Sequence, residues 1–174
     1  MNNSILQDLE RHRLTLFDDL SSLNQAQLNY SKKGWSIKEI LYHTWLVEES
    51  SEKYIRTKTK FPETILKIKC STYLRLFLVK LFLQLGLKAK APMATQLFPK
   101  EINLKELNNK WATSRRSFDS LITELKEKKL NNKAVFRHPL IGRININLTL
   151  AFFEFHFKHH QKQINTLKKQ VQDF

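Results

Sequence analysis

Apolar residues recur three and four positions apart through most of the chain, the spacing that lines one side of an α-helix. Ile5, Leu6, Leu9, Leu16, Phe17, Leu20 and Leu23 predict a first helix over roughly residues 4–23. A polar connection runs from Asn24 through Asn29 to Gly34. The second helix has the sharpest start. Ser36-Ile37-Lys38-Glu39 reads as a capping box, in which the Ser36 hydroxyl accepts from the Glu39 amide and Glu39 reaches back. Trp35 and Ile40 flank the cap where a hydrophobic staple would sit. Beyond it Ile40, Val47 and Tyr54 form the inward stripe, Glu49, Lys53 and Arg56 face away, and Pro62 ends the helix.

Residues Ile65 to Leu87 are apolar almost all round, which predicts a helix deep in a bundle or one covered by a partner. Gly86, Pro92 and Pro99 then mark a loop. Leu107, Trp111, Phe118, Leu121, Ile122 and Leu125 predict a fourth helix over roughly 104–128. A loop containing His138-Pro139-Leu140-Ile141-Gly142 follows, and alternation in Ile144-Asn145-Ile146-Asn147 suggests a short extended piece. The last helix is expected from about Asn147 to Gln170. The fold class is all-α, in one domain over residues 1–174.

Composition narrows this further. Three glycines and four prolines in 174 residues argue against a turn-rich β-protein. A single cysteine, Cys70, excludes an internal disulfide and any cysteine-rich zinc site. Residues 1–8 have neither the basic start nor the apolar run of a signal peptide, and no stretch reaches the roughly 20 apolar residues of a membrane span. A cytoplasmic location is the expectation. The net charge of +14 favours anionic partners in general. The lysines are spread along the chain without interleaved stacking aromatics, so a nucleic-acid role is not expected. Contact with a membrane surface, or a homodimer through residues 65–87, stays open.

The last helix carries the candidate chemistry. With Phe152 as zero and about 100° per residue, His156 falls near ~40° and His160 near ~80°, among Phe153, Ile164, Leu167 and Val171. His159, near ~340°, lies at the margin of that face and is expected at the rim. Burying an imidazole nitrogen unpaired costs about 1–3 kcal/mol, so two inward histidines one turn apart need a partner. A divalent metal satisfies one nitrogen on each ring. His43, on the same side of its helix as Ile40 and Val47, is the best third ligand. A lone inward histidine is more often a hydrogen-bonded core residue, and His12 has no companion.

Two stretches resemble the DinB/YfiT-like superfamily of metal-binding four-helix bundles. Gly34-Trp35-Ser36 leading to His43 is similar to that family's Trp-Ser motif and first histidine. His138-Pro139-Leu140-Ile141-Gly142, followed by His156-x-x-x-His160, is similar to its Pro-x-x-Gly loop and closing histidine pair. Ala91-Pro92 also matches, and the likeness covers roughly residues 5–170. The resemblance implies His43, His156 and His160 as metal ligands and an up-down-down-up bundle. His159 as an alternative ligand and the apolar segment 65–87 are departures from the family pattern.

Three neutral imidazoles with a fourth position open describe a catalytic site, with zinc or nickel expected and cobalt or iron chemically admissible. The resemblance further implies a transferase joining a low-molecular-weight thiol to an electrophile. A metal-dependent hydrolase and a non-enzymatic metal-binding stress-response module are the alternatives. Glu48 and Tyr54 are the only nearby general-base or orienting candidates, and nothing in their spacing assigns either a role.

Overall fold

The computed structural model describes residues 2–32, 34–87 and 95–171. Helix α1 spans Asn2–Leu20 and a short α2 spans Gln25–Asn29. Helix α3 runs Ile37–Lys58, followed by a single 3-10 turn at Pro62–Thr64 and helix α4 at Cys70–Gln84. Helix α5 spans Leu104–Glu127, a hairpin pairs β1 (Phe136–His138) with β2 (Gly142–Ile144), and α6 runs Ile146–Val171. The Ser36 capping box is present: the Ser36 amide donates to Glu39 Oε2 at 2.8 Å, and the Glu39 amide donates to Ser36 Oγ at 3.3 Å. A second box, between Asn24 and Gln27, starts α2 inside what reads from sequence as a plain polar connection. Asn145 caps α6, its Oδ1 accepting from the Leu148 amide at 3.0 Å.

Cross-helix contacts fix the directions of the four long helices. Phe17 meets Trp111, and Glu10 lies near Arg115, so α1 and α5 run antiparallel. The Trp45 indole donates to Ser114 Oγ at 3.0 Å while Arg56 reaches Glu124 at 2.9 Å, so α3 and α5 run parallel. His12 stacks on Phe157 and Lys168 reaches the Asp19 carbonyl, making α1 and α6 parallel. Trp35 near His160 and His43 near His156 make α3 and α6 antiparallel. The order is up-down-down-up. A parallel α3–α5 pair demands a long crossover, and the segment from Thr59 to Asn103, which includes α4, supplies it.

The bundle interior is aliphatic and aromatic, with Leu9, Leu16, Ile37, Ile55, Trp111, Ile122, Phe153 and Phe157 fully buried. A buried ion pair crosses it. Glu48 accepts from Arg115 Nε and Nη2, each at 3.0 Å, and from the Trp111 indole at 2.8 Å. Arg56 is half-buried rather than turned away, because Glu52, Ser117 and Glu124 together satisfy its guanidinium.

Segment 65–87 departs most from expectation. Its helix is shorter, residues 65–69 being non-helical, and it is no central member of the bundle. Helix α4 packs along α6 from outside, with Thr72 buried and Leu76, Val79 and Leu83 half-buried. Leu74, Phe77, Leu78, Leu81 and Leu85 are exposed. All-round apolarity set no limit on which side would be covered. Among the other connections, the region before Gly142 holds the strand β1 that reads from sequence as loop. Ala91-Pro92 lies outside the described residues.

Candidate metal centre

Helices α3 and α6 cross where His43 faces His156 and His160. His43 sits two turns past the Ser36 cap, and the i,i+4 spacing of the α6 pair puts both rings over one side of that helix. One ligand-capable nitrogen from each of the three rings lies within 4.8 Å of the other two. The Nε2 atoms of His156 and His160 are 3.1 Å apart. The His43 ring centroid is 5.3 Å from that of His156 and 5.0 Å from that of His160. All three residues are buried. Among the described residues no carboxylate or thiol joins this cluster.

For His43 and His160, hydrogen bonds on the far side of the ring decide which nitrogen points inward. His43 Nδ1 lies 2.9 Å from the Thr95 carbonyl, which can only accept, so that nitrogen carries the proton and Nε2 keeps its lone pair. His159 Nδ1 lies 2.9 Å from the Leu83 carbonyl of α4, so it too is the protonated nitrogen. The Gln163 amide nitrogen, which can only donate, lies 2.9 Å from His159 Nε2, so that ring nitrogen accepts. That orientation turns Gln163 Oε1 to His160 Nδ1 at 2.9 Å, so His160 Nδ1 is a donor and its Nε2 an acceptor, to which His156 Nε2 donates at 3.1 Å. A backbone carbonyl on α4 therefore sets the His160 tautomer through two side chains.

Electrostatics keep the rings neutral. Burial, reinforced by the neighbouring His160, His43, His159 and His138 rings, pushes His156 well below the usual imidazole range. His160 is pushed down to about 3, by burial first and then by His43, with the bond to Gln163 opposing. His43 is lowered by burial, against the bond to Thr95. Neutral imidazole is the ligand form. Trp35 covers the cluster, its ring 4.7 Å from His43, and Phe98 packs edge-on against Trp35 at 5.3 Å.

The other residues singled out from sequence lie elsewhere. His159 is buried, not at the rim, because α4 covers that side of α6, and both its nitrogens are bonded within the protein. Glu48 is buried and held by Arg115 and Trp111. Tyr54 is largely exposed and packs on Phe136 of the hairpin. His12 stacks on Phe157. Gln163, Thr95 and Phe98 were not foreseen; of these only Gln163 had a signal, one turn beyond the two histidines.

The sequence matches the family model of the DinB superfamily over residues 8–164. A protein of Oceanobacillus iheyensis named "Putative metal-dependent hydrolase" is 25% identical over 172 residues, covering 96% of this chain and 86% of its own. A Bacillus cereus protein of the same name is 23% identical over 176 residues, covering 98% and 87%. No solved structure matches. With nearly its whole length inside the family match and its bundle running up-down-down-up, the chain belongs to the DinB superfamily.

Proposed function

We propose that His43, His156 and His160 bind one divalent cation, zinc or nickel, and that the chain is a metal-dependent transferase joining a low-molecular-weight thiol to an electrophile. The observation that carries the reading is the donor set. Three neutral imidazoles converge in a buried spot, and the hydrogen bonds from His43 and His160 to Thr95 and Gln163 keep the ring protons of both on Nδ1 and leave Nε2 of both unprotonated. His156 Nε2 donates to His160 Nε2 at 3.1 Å, and with that proton shifted to Nδ1 it would complete a set suited to a cation with an open position. Such a cation supplies Lewis acidity that ionises a coordinated thiol outright or lowers the pKa of a water to about 7.

A thiol is favoured over water by what surrounds the cluster. The one buried carboxylate of α3 that sequence put forward as a base, Glu48, is fully engaged by Arg115 and Trp111. A thiol needs no such base. Trp35 and Phe98 offer apolar cover for an electrophilic carbon and keep bulk water from the reacting atoms. The second reading is a hydrolase, favoured by the name of the relatives in Oceanobacillus iheyensis and Bacillus cereus.

The test is turnover of cysteine or glutathione with an aryl halide, beside turnover of an activated ester without thiol. Thiol consumption that stops with a chelator and returns with zinc or nickel supports the transferase. Ester cleavage with the same metal dependence and no thiol reaction replaces it with the hydrolase. Stoichiometric metal with neither reaction reduces the chain to a metal-binding module.

A further inference from the structure

Helix α4 turns Leu74, Phe77, Leu78, Leu81 and Leu85 to solvent, on the side opposite the Thr72, Leu76, Val79 and Leu83 positions that pack inward. The five residues are spaced 3, 1, 3 and 4 apart, which keeps them within one stripe of a 3.6-residue helix. Tyr73 beside them is also exposed. Contiguous apolar surface of this extent is unusual on a protein that has no partner for it.

We propose that this face of α4 docks on an anionic lipid surface, lying in the interface rather than crossing it. The charge pattern selects that occupant. Residues 65–87 contain Lys67, Lys69, Arg75 and Lys80 and no acidic residue. Lys67, Lys69 and Lys80 are exposed. At the start of α4 the hairpin adds a cross-strand pair of arginines, Arg137 opposite Arg143, both exposed. Like charges directly opposite weaken a hairpin, and nothing among the described contacts offsets this pair. Thr72 ties the two elements together, its hydroxyl donating to the Arg143 carbonyl at 3.4 Å.

A second copy of the chain is the other way to cover the stripe, since Leu74, Leu78, Leu81 and Leu85 also follow the 4-3-4 spacing of a coiled-coil seam. Pairing two such helices would bring Arg75 and Lys80 of each copy together with no acid to meet them, between chains that each carry a net charge of +14. An anionic headgroup layer answers both halves of the pattern: acyl chains take the leucines and phenylalanine, and phosphates take the lysines. No described helix is long and apolar enough to span a bilayer, in keeping with surface docking.

The full chain is tested by co-sedimentation with vesicles of dioleoyl-phosphatidylglycerol and, separately, of dioleoyl-phosphatidylcholine. Sedimentation velocity without lipid runs alongside. Binding to the anionic vesicles alone is expected, weakened about fivefold for each of Lys69→Gln and Lys80→Gln. The double substitution Leu78→Ser and Leu81→Ser, at exposed positions outside the core, should weaken it about tenfold while leaving the helical circular dichroism unchanged. Equal binding by that double variant overturns the proposal, because charge alone would then account for adsorption. A dimer in solution that the same variant dissociates also overturns it, in favour of a second copy. Absence of binding to anionic vesicles at low salt overturns it outright.

Discussion

Gln163 touches His160 and His159 at once, its Oε1 2.9 Å from His160 Nδ1 and its Nε2 2.9 Å from His159 Nε2. The amide thereby passes the polarity of the Leu83 carbonyl, at the far end of the chain of bonds, into the tautomer of an imidazole of the candidate site. Groups that orient a ligand ring in this way are worth about 10- to 100-fold in metal affinity.

Gln163→Leu removes the acceptor for His160 and is expected to weaken metal binding by about 10- to 100-fold while the helical content is kept. Competition against a chromophoric chelator measures it. In the apo-protein, long-range proton–nitrogen spectra of the imidazoles should show His160 protonated at Nδ1 in the parent and mixed tautomers in the variant. An unchanged affinity with an unchanged tautomer would remove Gln163 from any role at the site.

His138 carries a separate prediction about acid. Its Nδ1 accepts from the Leu140 and Ile141 amides, each at 3.2 Å, and burial pushes its pKa down to about 4 from an ordinary 6.5. Below about pH 6.5 the unfolded chain takes up a proton that the folded chain refuses until about pH 4. Its contribution is therefore whole above pH 6.5 and is lost as pH falls toward 4, by about 3 kcal/mol in all. His138→Asn keeps an acceptor for the two amides and does not titrate. Urea midpoints of the chelator-treated protein should fall less steeply over this range in the variant than in the parent. Parallel profiles would contradict it.

How much of this was legible beforehand divides along physical lines. Local chemistry was readable: the Ser36 cap needs only three neighbouring residues, and His156 with His160 needs only the helical period. What depended on a neighbouring element was not. His159 looked marginal on its own helix because its burial comes from α4, and the wheel of α6 contains no information about α4. Segment 65–87 reads equally as a central helix or one covered by a partner, because apolarity on every side is the same whether one side is covered or all are. Arg115 is the exception, readable on its own helix. It follows Trp111 by four residues on the apolar stripe of α5, and a charge there asks for a buried partner, which Glu48 provides.

That ion pair makes Glu48 structural. Glu48→Gln leaves the buried Arg115 charge with only the longer contact to Glu10 at 3.5 Å and is expected to destabilise the fold by up to about 3 kcal/mol. Metal content per folded chain should stay unchanged. A stable Glu48→Gln protein that has lost turnover would instead return Glu48 to the chemistry.

Imidazoles from α3 and α6 are expected to share one cation. Elemental analysis of purified parent, His43→Ala, His156→Ala, His160→Ala and His159→Ala proteins tests it most directly. One equivalent of divalent metal per chain is expected in the parent and in His159→Ala, and about a tenth or less in the other three, as loss of one of three ligands dictates. A full equivalent retained by His156→Ala or His43→Ala would contradict the shared site.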